Sequence, residues 1–254
     1  MFDSHCHLQD ERIFDSVYDL ISRARAVGVG GFLCCGTSPS DWNRVARIGS
    51  AYEGVVCAFG VHPWNADSVV DKWEDLLRKY LRGDKRAVVG EIGLDSSSVT
   101  RRSGKQADVF IRQLYIASDF ARPVSIHCRD SWGALVGILS RIGGLRYGGA
   151  IHSYSGSAET VVQLQKFGCY ISFSGAILNE SNKKAERAIR EVLPRYLLVE
   201  TDSPDMLPLN SSGDFNEPSN LPLIINKIAD VTGMEPDEVS RLTSDNARRL
   251  FNIK

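Results

Sequence analysis

FDSHCH, residues 2–7, opens the chain, and LLVETD, residues 197–202, stands near its far end; both are short apolar runs that finish in side chains able to ligate or titrate. Six runs of the same kind lie between them, at 31–36, 55–61, 87–94, 124–128, 149–153 and 169–174. Each is rich in Val, Ile, Phe or Cys and many end at Gly or a polar residue, as strands buried on both faces do. The segments between them keep helical spacing. Val17, Leu20, Ile21 and Ala24 recur at i, i+3, i+4 and i+7, with Gly28 as a stop. Trp73, Leu76, Leu77 and Tyr80 repeat the pattern before Gly83, as do Ala107, Phe110, Ile111 and Leu114. Trp132, Leu135, Val136 and Leu139 precede Gly143; Val161, Leu164 and Phe167 precede Gly168; Ala185, Ala188, Ile189 and Val192 precede Pro194. Two further helices are expected over 222–232 and 236–251. Eight strands alternating with helices over 254 residues have the size and rhythm of an α/β (β/α)8 TIM barrel, read here as a single domain over 1–254. An open doubly wound sheet would normally announce a Gly-rich first turn, and no GxGxxG or P-loop pattern occurs.

Composition narrows the function. With 43% hydrophobic and 24% charged residues and a formal net charge of −1, the chain has no global basic field to gather a polyanion. A polyanionic substrate must then be held by local groups or by bound cations. The N-terminus lacks the basic-then-apolar pattern of a secretory signal, and no run has the roughly 18 apolar residues of a membrane helix. The six cysteines are scattered, form no CxxC pair and mostly sit inside apolar runs, where a thiol serves as a small hydrophobe. A cytoplasmic enzyme with no membrane partner is expected.

Barrel enzymes gather their reactive groups at the C-terminal ends of the strands. All five histidines lie there: His5 and His7 in the first run, His62 after the third, His127 in the fifth, His152 in the sixth. Glu91 lies in the fourth run and Asp202 closes the eighth. Alternation along a strand turns His5 and His7 to one side, and pairs Glu200 with Asp202 by the same rule. One such histidine is commonly a packed core residue; five, with two acids, on strands of one barrel point to a metal centre. Imidazole and carboxylate without thiolate suit Zn, Mn, Fe, Ni or Mg rather than a soft-metal site.

The motifs FDSHCHL (2–8), FGVHPW (59–64), VGEIGLD (89–95), PVSIHCRDS (123–131), HSYSGS (152–157) and LLVETDSP (197–204), in this order, resemble the series of the TatD family of metal-dependent deoxyribonucleases. HxH alone would be shared with amidohydrolases; GEIGLD and ETDSP make the resemblance specific. It implies two divalent ions, one held by His5, His7, Glu91 and Asp202, the other by Glu91, His127 and His152, with Glu91 as the bridge. It also implies hydrolysis of DNA, most simply from single-stranded 3′ ends, with Mg or Mn. The chemistry agrees: two cations about 3.5–4 Å apart neutralise a phosphodiester's charge and lower the pKa of an attacking water. Asp202 is then the expected proton acceptor.

His62 stands outside this ligand set and is expected either to orient a phosphate oxygen or to protonate the leaving group; packing beside Pro63 and Trp64 is the other reading. Arg129 is the expected phosphate contact, and Trp64 either stacks on a base or covers a helix end. Arg101, Arg102 and Lys105 form a charge run that is either solvated surface or a phosphate contact. The chain departs from the family's pattern with Ser96, Ser97 and Ser98 after GEIGLD, with Asp205 after ETDSP, and in lacking the Arg–Gly pair before NEP (216–218). The competing reading is a binuclear amidohydrolase acting on a small ester, amide or lactone. Such enzymes often bridge their metals with a carboxylated lysine at the fourth strand, where this chain has Glu91, and Lys85 lies before the run.

Overall fold

The computed structural model describes residues 1–69, 71–97, 104–208 and 213–253, and its eight strands form one parallel sheet in the order β1 to β8. The strands are β1 Phe2–Cys6, β2 Gly31–Cys35, β3 Val55–Phe59, β4 Val88–Asp95, β5 Val124–Arg129, β6 Gly149–Ile151, β7 Cys169–Phe173 and β8 Leu197–Val199. A helix follows each: α1 Val17–Ala26, α2 Trp42–Ala51, α3 Trp73–Gly83, α4 Gln106–Asp119, α5 Trp132–Ile142, α6 Ala158–Lys166, α7 Lys183–Glu191 and α8 Leu221–Thr232, with α9 Pro236–Phe251 closing the chain. This is the (β/α)8 barrel that the run spacing implies. Arg101, Arg102 and Ser98 lie outside the described residues. No described helix is long and apolar enough to cross a membrane.

Between β8 and β1 the circle is closed by loop backbone and side chains. Asp202 N–H donates to the His5 carbonyl at 3.0 Å and His7 N–H to the Ser203 carbonyl at 2.6 Å. The buried Asp3 carboxylate accepts the Thr201 N–H at 2.9 Å and the Thr201 hydroxyl at 2.5 Å. The seam therefore binds the turn carrying Asp202 to the strand carrying His5, so the two ends of the sequence meet in one site.

Two apolar clusters sit on either side of the sheet. The larger lies between strands and helices, where the buried faces of α1 (Val17, Leu20, Ile21, Ala24) and its counterparts pack. The smaller joins Phe2, Leu33, Val56, Val88 and Leu198 to Leu250 and Phe251 of α9, with the Phe2 and Phe251 rings 6.0 Å apart. α9 thus plugs the N-terminal end of the barrel, each buried Leu or Phe contributing roughly 1.5–3 kcal/mol before entropy is counted. The C-terminal end is left for polar groups.

Two features depart from the sequence pattern. α2 was not apparent, because its buried positions Trp42, Val45 and Ile48 recur only every third residue and Gly49 interrupts the helix. Trp42 anchors it, its indole N–H donating to the Gly60 carbonyl at 3.0 Å. Several strands are also shorter than the apolar runs: β8 ends at Val199, so Glu200 and Asp202 lie beyond the ladder. Their chain leaves extended geometry, with Asp202 at φ +60°, and strict alternation no longer governs them.

Candidate metal centre

Glu91, on β4, is buried at the mouth of the barrel and presents its two oxygens to two groups of histidines. Oε2 lies 3.5 Å from His5 Nε2 and 3.5 Å from His7 Nε2, which are 3.3 Å apart. Asp202 Oδ1 completes that group at 3.9 and 3.6 Å from the same nitrogens. Oε1 faces the other way, 3.1 Å from His127 Nδ1 and 2.8 Å from His152 Nε2, themselves 3.1 Å apart. Four donors around a cation at 2.0–2.2 Å stand roughly 3.3–3.6 Å from one another, so the first group already has nearly that spacing and the second is somewhat contracted.

Where a ring is backed by a carbonyl or carboxylate, the backing fixes which nitrogen carries its hydrogen. His7 Nδ1 lies 2.7 Å from the Cys35 carbonyl, which can only accept, so Nδ1 donates and the Nε2 lone pair faces inward. His127 Nε2 donates to Asp95 Oδ2 at 3.1 Å and His152 Nδ1 to Glu200 Oε1 at 3.3 Å. His5 Nδ1 rests on Ser125 Oγ at 3.0 Å. In their neutral forms His7, His127 and His152 turn a lone pair toward Glu91, and His5 Nε2 faces the same carboxylate, an arrangement that fits divalent cations in place of protons. Six residues read from the sequence as ligands, His5, His7, Glu91, His127, His152 and Asp202, come together here.

His62 is built the opposite way. Its Nδ1 accepts the Trp64 backbone N–H at 3.2 Å, so the neutral ring directs Nε2–H toward Glu91 Oε1, 3.4 Å away. It lies close enough to Glu91 and His127 to count as a third donor by distance, but it offers a hydrogen where the others offer lone pairs. Burial pushes it down to about 3, outweighing the pull of Glu91, so it is neutral at physiological pH.

Burial alone would raise Glu91, yet the surrounding histidines, His152 foremost, hold it well below the usual carboxylate range. His5 is lowered by burial and by His152. At His127 burial is outweighed by Asp95 and Glu91, which raise it; at His152 it is outweighed chiefly by Glu91 and Glu200, which raise it well above the ordinary value. Both rings therefore hold a proton more readily than a free imidazole.

Asp95 and Glu200 back two of the rings, and the sequence analysis gave neither that role. Asp95 was legible: residues 91, 93 and 95 alternate to one face of β4. Gly93 between them has φ +147°, and an added Cβ would strike the His127 carbonyl, so only glycine lets β4 approach β5 here. Asp95 also accepts the Trp64 indole N–H at 2.8 Å. Trp64 itself stays 56% exposed beside the centre. Arg129 ends β5 on the wall of the same cavity, of about 850 Å³. Lys105 instead lines a separate hollow with Asp71 and Asp108. All six cysteines are buried and free, as expected.

Comparison with known proteins agrees with this geometry. The profile of the TatD-related DNase family matches residues 2–252. The metal-dependent hydrolase YabD of Bacillus subtilis is 30% identical over 253 residues, covering 100% of this chain and 99% of the relative. The 3′-5′ ssDNA/RNA exonuclease TatD of Cronobacter sakazakii is 31% identical, with 99% and 97% covered. The crystal structure of the TatD homologue YjjV from Escherichia coli superposes with a TM-score of 0.94 at 26% identity, over 100% of this chain and 98% of that one. The chain belongs to the TatD-related DNase family and is, with it, a metal-dependent hydrolase of ester bonds.

Proposed function

We propose that this protein hydrolyses phosphodiester bonds of single-stranded DNA from the 3′ end, with His5, His7, Glu91 and Asp202 holding one divalent cation and Glu91, His127 and His152 a second. The observation that carries this reading is the convergence of His5, His7, His127 and His152 ring nitrogens on the two oxygens of Glu91. Bound there, Mg or Mn would neutralise phosphate charge and make water acidic enough to attack. Asp202 is the group that takes the proton of that water: its carboxylate stands at the open side of the centre, its side chain 13% exposed, against 3% for Glu91. His62 Nε2–H orients a non-bridging phosphate oxygen. Being neutral, it is a hydrogen-bond donor rather than an imidazolium, which favours orientation over leaving-group protonation. Trp64 offers a ring face to the terminal base and Arg129 a guanidinium to the next phosphate. Relatives named as 3′-5′ ssDNA/RNA exonucleases, 31% and 30% identical, support the choice of substrate.

End-labelled single and double strands, incubated with Mg or Mn and resolved by product length, test the proposal. Stepwise shortening of the single strand from its 3′ end, abolished by chelation and restored by metal, is expected. Full activity after exhaustive metal removal would sink it, as would faster cutting of closed circular duplex.

A further inference from the structure

The two turns that follow the ligands His7 and Asp202 are built alike. Asp10 N–H donates to the His7 carbonyl at 2.9 Å, and Asp205 N–H to the Asp202 carbonyl at 2.9 Å. Each turn carries a carboxylate to the wall of the central cavity, and Arg12 joins the two. Its Nε and Nη2 lie 2.8 and 2.9 Å from Asp10, its Nη1 and Nη2 2.9 and 3.2 Å from Asp205. The Phe215 ring stacks on the guanidinium, 5.6 Å away. A fork that would otherwise bind phosphate bidentately is occupied. Two carboxylates on one guanidinium leave this side of the rim with a net negative charge; the neighbouring Arg44–Glu11 pair, at 3.1 Å, adds none.

The opposite side differs. β8 and β1 meet at the seam, so β4 and β5 lie across the ring of strands. There the cavity wall includes Arg129 but not its neighbour Asp130, and the Arg129 guanidinium has no partner among the described residues. Exposed Trp64 lines the same cavity and donates its indole N–H to Asp95, the β4 residue in register with Arg129.

We propose that the Asp10–Arg12–Asp205 bridge bars the sugar–phosphate chain from the β1/β8 side of the mouth, so that a bound strand leaves over Trp64 and Arg129 and the bridge limits how strongly longer strands bind. The inference rests on the phosphodiesterase reading above and adds a direction to it. A rim charge a few ångströms from a phosphate shifts its binding by roughly three- to ten-fold at low salt and by little at high salt. A dinucleotide barely reaches past the centre, whereas a dodecamer must cross the rim.

The test compares kcat/KM for a single-stranded dodecamer and a dinucleotide in wild type, Asp205→Asn, Asp10→Asn/Asp205→Asn, and that double variant with Arg12→Ala. Bis(p-nitrophenyl) phosphate reports that each variant keeps a folded centre. At low salt Asp205→Asn should raise the dodecamer-to-dinucleotide ratio about three- to ten-fold, mainly through KM. The double variant, with Arg12 freed for phosphate, should raise it further. Adding Arg12→Ala should return the ratio to the Asp205→Asn level, because the rim charge is then the same. A bridge that merely ties two loops together would produce no such charge ladder. Ratios that stay flat across the series, or that rise equally at high salt, overturn the inference while leaving wild-type phosphodiesterase activity in place. A wild-type protein that cleaves neither oligonucleotide with Mg or Mn present overturns the phosphodiesterase reading, and the inference with it.

Discussion

The two sides of Glu91 hold similar donors with different backing. On one side His5 and His7 lean on neutral partners, the Ser125 hydroxyl and the Cys35 carbonyl. On the other, His127 and His152 lean on the carboxylates of Asp95 and Glu200. The difference decides what burial does. Burial lowers His5, whereas at His127 and His152 it is outweighed by the surrounding anions, which raise them. On the proposed assignment, a cation on the first side would meet a neutral His5, while one on the second would have to displace protons that the rings hold more readily than a free imidazole. Once those protons leave, the carboxylate-backed imidazoles are the stronger donors. If Glu91 bridges two cations as proposed, the two half-sites would be made unequal by residues outside the ligand set.

The most severe break of this comparison is Glu91→Ala, which removes the group both sides share. Catalysis should fall on the order of 10³-fold or more, with metal content reduced on both sides together. Two tightly held equivalents in that variant would show that the sides are independent.

Next in size is His62→Ala. Because His62 presents a hydrogen rather than a lone pair, metal content should stay intact while turnover drops about 10²–10³-fold. The loss should be similar on DNA and on a nitrophenyl phosphodiester, since lost orientation slows both. Sparing of the nitrophenyl substrate would instead assign His62 to protonating the leaving group.

The backing residues test the asymmetry itself. Asp95→Asn and Glu200→Gln should weaken metal binding about 10–100-fold, while Ser125→Ala should cost less than about tenfold. Calorimetric titration with Mn would rank the three, and equal losses would erase the proposed distinction.

The mildest test is pH. In the metal-free protein, raised histidines contribute stability that is fully present below their unfolded value near 6.5 and fades as pH climbs through the higher folded values. The same protons compete with a cation. Affinity on the His127 side should therefore rise with pH until the raised folded values are passed, by up to about tenfold per unit for each proton displaced. His5, already lowered, demands no such release. Titrations in buffers of different ionisation enthalpy would count the protons, and an equal release on both sides would contradict the asymmetry.

Most of the barrel, and the five histidines with Glu91 and Asp202, were legible from local pattern; the choice of six ligands with His62 left out came from the motif resemblance. Apolar runs marked the strands through the demands of burial on both faces, and histidines at their ends marked the reactive face. α2 escaped because Trp42, Val45 and Ile48 give a weak period; its place is secured by long-range contacts such as Trp42 to Gly60. Alternation correctly paired His5 with His7, yet it did not describe Glu200 and Asp202, because the ladder ends at Val199 and the chain turns.

Residue types and their order along the chain therefore determined the fold class and the kind of centre, since both depend on periodicity and on which side chains carry lone pairs. Tertiary structure alone decided the orientation of those lone pairs. A histidine's hydrogen goes to whichever nitrogen faces an acceptor, and the partners at Cys35, Ser125, Asp95 and Glu200 come from other strands. The same holds for the rim, where Arg12 meets Asp205 across 193 residues of sequence. Contacts of that kind arise only when the barrel closes and brings β8 beside β1, and no local pattern encodes them.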